Sequence, residues 1–217
     1  MRSNNAAKPF VIALALFVNL WTAAPAQASA HAPLNIPALE SFIASVQDGQ
    51  ASVLRGVYVA DRLAFRVEQQ PRGNNNFVSA VANVATQYRL ASYYGVIGLL
   101  AHNTSSGRTF SSLTIGDEVN LIYGDGRVKR YRVAALYRYR LLNPASLKSD
   151  LIDLRTGQVH SAADVFAQVY IGDDQVTLQT CIQKGGQAAW GRLFVVATPL
   201  ASDTLDQTTL RLLNQPR

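Results

Sequence analysis

Cysteine is almost missing from this chain of 217 residues, and Cys181 is its single example. A folded domain built from it can hold no internal disulfide, so its stability must come from packing. Other absences narrow the chemistry. No Cys/His cluster has zinc-ligand spacing, and no Gly-rich loop has the form of a phosphate cradle. No repeat or low-complexity segment is present. Beyond residue 30, no apolar run approaches the roughly 20 residues that a membrane helix requires.

The first 30 residues have the grammar of a secretory signal. Arg2 and Lys8 make a positive start, an apolar run follows from Phe10 to Leu20, and Ala26-Gln27-Ala28 or Ala28-Ser29-Ala30 offers a small-residue cleavage site. The apolar run is short for a membrane span, although retention as an anchor is the alternative outcome. Cleavage would leave 187 residues and lower the formal charge from +6 to +4, because two bases and no acid depart. That length suits one domain with a substantial core. The mild basic excess suits an anionic wall or membrane surface and gives no specific sign of a nucleic-acid partner. An exported protein usually pairs its cysteines or lacks them, so a lone thiol there calls for a role.

Residues 31–52 read as a linker and an N-terminal helix, and residues 53–217 as the main domain. Leu39, Phe42, Ile43 and Val46 share one helical face, with Pro37 placed for the first turn and Gly49 for the C-terminal cap. Val53 to Val59 and Leu63 to Val67 read as strands, and Gln69 to Asn76 as a loop. The apolar spacing from Phe77 to Leu90 predicts a second helix. From Tyr94 on, the pattern is mostly strand, with Gly124-Asp125-Gly126 turning a hairpin between 119–123 and 128–133. A polar excursion from Asn143 to Phe166 holds a short helix near Ser161. The strands Gln175 to Cys181 and Arg192 to Thr198 close the domain, and Ile182 to Gly191 reads as a loop between them. Many short strands with few helices predict a mainly β fold, a barrel or sandwich with helical decorations. The arginines between Arg127 and Arg140, interleaved with Tyr131, Tyr137 and Tyr139, fit strands with one charged face in water.

Strand alternation puts Val176, Leu178 and Thr180 on one face of their strand and Thr177, Gln179 and Cys181 on the other. The core can take the first set while Cys181 emerges at the strand end. Buried as a small hydrophobe, a cysteine needs no further explanation; its neighbours suggest more. His102 follows the apolar segment Val96 to Ala101, and Arg192 opens the segment after Cys181.

The run Thr177-Leu178-Gln179-Thr180-Cys181 resembles the Thr-Leu-x-Thr-Cys signature of sortases, and Arg192-Leu193-Phe194-Val195-Val196-Ala197 is similar to the arginine strand that follows it in that family. His102 lies 79 positions ahead of Cys181, where the family has its histidine. Leu113-Thr114-Ile115-Gly116-Asp117 resembles the family's Leu-x-x-Gly-Asp turn. The likeness extends over about residues 53 to 199. It implies an antiparallel β-barrel with short helices and a cysteine transpeptidase needing no cofactor, although some relatives use calcium near the groove. It further implies Cys181 as nucleophile, His102 as acid/base and Arg192 as oxyanion or substrate-backbone stabiliser. The substrates would be surface proteins bearing a C-terminal sorting motif, and the acceptor an amine of the cell wall or of a pilin. Thr180, Gln183 and Trp190, next to or beyond the thiol, are the candidate substrate contacts.

The chemistry suits these residue types. A free thiol has a pKa of about 8.5, so a nearby cation is needed to favour the thiolate. His160, in the polar excursion, is the competing imidazole and reads as a surface residue. Papain-like enzymes place cysteine before histidine, the reverse of the order here. Two other functions remain open: a noncatalytic β-barrel binding module, and a cysteine peptidase or hydrolase on the same fold. The leader predicts a mature chain starting after Ala28 or Ala30. Intact-mass measurement of exported protein tests this, and a mass including Met1 would mean a retained anchor.

Overall fold

A computed structural model describes residues 36–146 and 148–200, so the expected signal and linker, and the last residues of the predicted domain, lie outside the described part. Ten strands form one sheet in the order β10-β9-β4-β3-β2-β1-β5-β6-β7-β8. They are β1 (Leu54–Val59), β2 (Leu63–Gln69), β3 (Val84–Tyr88), β4 (Val96–Leu100), β5 (Glu118–Tyr123), β6 (Val128–Leu141), β7 (Leu151–Asp153), β8 (Val159–His160), β9 (Gln175–Lys184) and β10 (Gln187–Pro199). A further pairing of β10 with β6 joins the ends of the first eight strands into a closed barrel. The short pair β7–β8 extends beyond β6. The fold is therefore mainly β, as the sequence predicts. The barrel's neighbours are antiparallel except at β2–β3 and β4–β9, which are parallel.

A barrel of eight strands has an interior that side chains can fill. Here Val57, Leu63, Leu99, Leu121, Leu178, Leu193 and Val195 fill it, each almost fully buried. Two helices pack on the outside. Helix α1 (Leu39–Val46) buries Phe42 and Val46 against Tyr58 and Ile122. It spans the four apolar residues of the predicted face, but Pro37 lies before its N-cap at Ala38 and Gly49 beyond its C-cap at Gln47. Helix α3 (Ala162–Tyr170) is longer than the short helix expected near Ser161. It starts in a capping box: the Asp164 N–H donates to Ser161 Oγ, and the Ser161 N–H donates to the Asp164 carboxylate. The Ser161 hydroxyl, donating to the Asp164 carboxylate at 2.7 Å, and then the Ser161 N–H hold that carboxyl below its ordinary pKa. Val165, Val169 and Tyr170 of α3 pack with Tyr139, Phe194 and Val196 on the outer wall. Among the described residues, no helix is long and apolar enough to cross a membrane.

The strand β6 shows how one segment serves both sides of that wall. Its partner positions run Ala197 to Val133 and then Val196 to Ala135, a bulge that inserts one residue. Before the bulge Tyr131 and Val133 point into the barrel; after it Tyr139 and Leu141 point outward into the α3 cluster. Tyr131 and Tyr139, both 1% exposed, are thus core residues on opposite faces, and Arg130 and Arg132 keep to the solvent as expected.

Two expectations are corrected. Residues 182–191 are largely a continuation of β9 and β10 around Gly185-Gly186, with a register shift, and form no free loop. The helix predicted for 77–90 is an irregular strap over 77–83 followed by β3 and the single turn α2 (Arg89–Ser92). Side chains claim the backbone groups that a helix would have used. Buried Gln70 donates to the carbonyls of Asn75 and Phe77 at 2.9 and 3.1 Å, and accepts the Arg89 N–H. Thr86 accepts from Ser79 N–H at 2.8 Å, Ser106 from Val84 N–H at 3.0 Å, and Asn83 has a φ of +58°. Pairing of β3 with β2 on one side and β4 on the other takes the rest, burying Val84, Ala85 and Thr86 at consecutive positions. Helical spacing in the apolar residues loses to these tertiary bonds.

Gln70→Leu should therefore destabilise the fold by about 1–3 kcal/mol, since it strands buried backbone groups without partners. Urea unfolding of the two proteins measures the difference.

Candidate active site

The strand β9 sorts its residues as alternation requires. Val176, Leu178 and Thr180 face the barrel interior, and Thr177, Gln179 and Cys181 face outward. The outward residues rest on α3: the Thr177 hydroxyl donates to the Val169 carbonyl at 2.6 Å, and the Tyr170 hydroxyl donates to Gln179 Oε1. Complete burial of Tyr170 raises its pKa well above the ordinary phenol value, so it is a donor at every relevant pH. Cys181 follows as a free thiol, half-buried near the end of this anchored row.

His102 reaches the same end of the barrel through the parallel joint. Leu100 of β4 is paired with Gln179 of β9, and the Ala101 N–H donates to the Gln179 carbonyl at 3.1 Å. Two residues further along both chains stand His102 and Cys181. The His102 ring is exposed, with Nε2 3.2 Å from the carbonyl of Val78 in the 77–83 strap. A carbonyl can only accept, so Nε2 carries the proton in this contact. Nδ1 is then the acceptor of the neutral ring, or the second donor of the imidazolium. Behind His102 the chain turns into a 3-10 helix (Ser106–Ser112), with Gly107 N–H donating to the His102 carbonyl at 2.8 Å. Only glycine fits at 107, because a Cβ there would overlap Thr180 Oγ1 and the Ala101 carbonyl oxygen.

Arg192 arrives by the antiparallel joint, directly across from Cys181 in the β9–β10 register. Opposed residues in such a pair share a face of the sheet, with Cα atoms about 4.5–5.5 Å apart. Its guanidinium makes one internal bond, to the Gly191 carbonyl at 3.0 Å, leaving further donors of the fork unused by that contact. Arg192 also lines an outer groove of about 550 Å³ with Val78, Leu100, Phe166, Gln179 and Phe194. Two different strand pairings thus bring His102, Cys181 and Arg192 to one end of the barrel; of the three, Arg192 lines the mostly apolar outer groove.

The other candidates fall elsewhere. Thr180 is 4% exposed and faces the barrel interior, away from Gln179 and Arg192. Gln183 is exposed and lines a second, smaller cavity with Cys181. Trp190 is half-buried, with the Lys184 ammonium 4.8 Å from its ring centre, a cation–π contact within the hairpin. His160 stacks edge-on against Tyr139, 6.0 Å between ring centres, in the short β7–β8 pair. Residues that sequence reasoning passed over are Gln179, Val78 and Phe166. Alternation already put Gln179 on the Cys181 face; Val78 and Phe166 meet the site only through tertiary packing. Among the described residues, no group of three His, Cys, Asp or Glu could hold a metal ion.

No family model and no curated protein matches this sequence. Solved structures similar to it include sortase A from Corynebacterium diphtheriae, 13% identical, with a TM-score of 0.46, covering 69% of this chain and 61% of that one. Sortase C1 from Streptococcus suis is 12% identical, with a TM-score of 0.46 and coverage of 75% and 78%. Sortase C-1 from Actinomyces oris is 14% identical, with a TM-score of 0.44 and coverage of 78% and 88%.

Proposed function

We propose that this chain is a sortase-like cysteine transpeptidase, exported and acting at the cell surface. The observation that carries the reading is the strand register, which sets Arg192 across from Cys181 in the antiparallel β9–β10 joint and His102 two residues past the Leu100–Gln179 pair of the parallel β4–β9 joint. The Thr-Leu-Gln-Thr-Cys run ending at Cys181 supports it from the sequence.

In this mechanism a peptide bearing a Leu-Pro-x-Thr-Gly type of sorting motif lies in the outer groove, its apolar side chains against Phe166 and Phe194. The Cys181 thiolate attacks the carbonyl carbon of the scissile bond. Negative charge develops on the carbonyl oxygen, and the Arg192 fork, charged throughout, donates to it. Collapse of the tetrahedral intermediate breaks the C–N bond as His102 gives its proton to the departing amine, leaving an acyl-thioester on Cys181. An amine of the cell wall or of a pilin then attacks the thioester, His102 takes its proton, and the C–S bond breaks to restore the thiolate. Water in place of the amine gives slow hydrolysis. No step calls for a cofactor.

Cys181→Ala should keep the fold, because alanine fits the same strand position, and should form no acyl-enzyme. Mass spectrometry after incubation with sorting-motif peptides reads this directly, and turnover equal to wild type would reject the mechanism. Arg192→Lys separates geometry from charge. Lysine keeps the charge and loses the two-point fork, so turnover should fall by about 10²–10³, the usual cost of one oxyanion donor. Steady-state kinetics of wild type, Arg192→Lys and Arg192→Ala on one peptide measures it; near-wild-type turnover in the lysine variant would leave Arg192 only an electrostatic role.

A further inference from the structure

A second cavity, of about 350 Å³, opens beside Cys181. It lies beside the 3-10 helix at the end of β9, where Thr180 and Ile182 from one face of the strand and Cys181 and Gln183 from the other all line it. Its wall includes Arg108, Arg138, Asn103, Thr180, Cys181 and Gln183, and no acidic residue. Arg138 follows the β6 bulge, which puts it across from inward-facing Leu193 and so at the barrel mouth. Neither Arg108 nor Arg138 has an ion-pair partner among the described residues.

An independent observation concerns Thr180. Its hydroxyl is buried and has no hydrogen-bond partner among the described residues. A buried polar group without a partner carries a free-energy cost that a bound ligand can remove. The Asn103 side chain is already engaged, donating to the Ala188 carbonyl at 2.9 Å and tying the turn after β4 to β10. The donors remaining for a guest are two guanidinium groups, one hydroxyl and the Gln183 amide. That set suits an oxyanion, which accepts at several points and gains from the two positive charges.

We propose that this cavity binds an anionic group, a carboxylate or a phosphate, carried by the amine that accepts the acyl chain. The second half of this statement rests on the transpeptidase reading; the first does not. Cys181 lines this cavity while Arg192, its cross-strand partner, lines the outer groove. The acyl donor then occupies the outer groove, and the acceptor approaches the thioester from the barrel mouth, held by its anion at Arg108 and Arg138. Its neutral amine attacks the thioester carbon, the C–N bond forms, the C–S bond breaks, and the ammonium proton passes to His102.

The test reads binding without turnover, so its failure and the failure of the transpeptidase reading remain distinguishable. Inorganic phosphate and N-acetylglycine serve as probes of the two anion types, titrated by calorimetry into wild type, Arg108→Gln, Arg138→Gln and the double variant. Arg72→Gln, an equal charge change in the exposed segment 71–76, is the control. Circular dichroism verifies that each variant is folded. Binding of either probe, weakened about tenfold by each cavity substitution and unchanged in the control, supports the site, and the preferred probe names the anion type. The rate of Cys181 alkylation by iodoacetate relative to iodoacetamide should fall several-fold in the double variant, since the anionic reagent loses its attraction. Absence of binding by both probes, or equal binding by the double variant and wild type, would overturn the proposal.

Discussion

The parallel pairing of β4 with β9 is the constraint on which the candidate site depends. Antiparallel neighbours would send the ends of these strands in opposite directions. Running side by side, with Leu100 level with Gln179, they deliver His102 and Cys181 to one end of the barrel. The next joint, β9 to β10, is antiparallel and returns the chain so that Arg192 stands across from Cys181. Closure of the barrel through β10 and β6 then holds all of these strands in one register. No loop has to find the right conformation for Cys181 and Arg192 to share a face, because the ladder sets it.

Around this frame, buried polar side chains shape what the backbone alone would leave loose. Gln70, Thr86 and Ser106 bind the 77–83 strap at Phe77, Ser79 and Val81, and the strap presents the Val78 carbonyl to His102. Tyr170 and Thr177 tie α3 to the outward face of β9, which gives the groove its second wall. Each bond satisfies a group that burial would otherwise leave costly, so positioning the site and stabilising the fold are served by the same contacts.

The two cavities flank one strand. Gln179 of β9 meets the apolar surface of α3 and Phe194 in the outer groove, and the strand end from Thr180 to Gln183 meets the two arginines in the second cavity. Period-two alternation, with the bulge in β6 switching Tyr139 outward and Arg138 inward, gives the two sides opposite chemical character.

Much of this was legible in the sequence. Alternation gave most strands, the Asp125-Gly126 turn gave the β5–β6 hairpin, and the Thr-Leu-Gln-Thr-Cys run singled out Cys181 and its outward face. These signals are local, carried by residues a few positions apart. The 77–83 strap was misread because its conformation is set by side chains from residues 70, 86 and 106, against which helical spacing had no way to register. Thr180 and Trp190 looked like groove contacts by closeness to Cys181, and only the register put one inside the barrel and the other beneath Lys184. The amino-acid order determined which residues could do chemistry and which face of a strand they would take. Which of them meet was decided by long-range pairing, since a parallel joint between segments some 80 residues apart leaves no periodic trace in either segment alone.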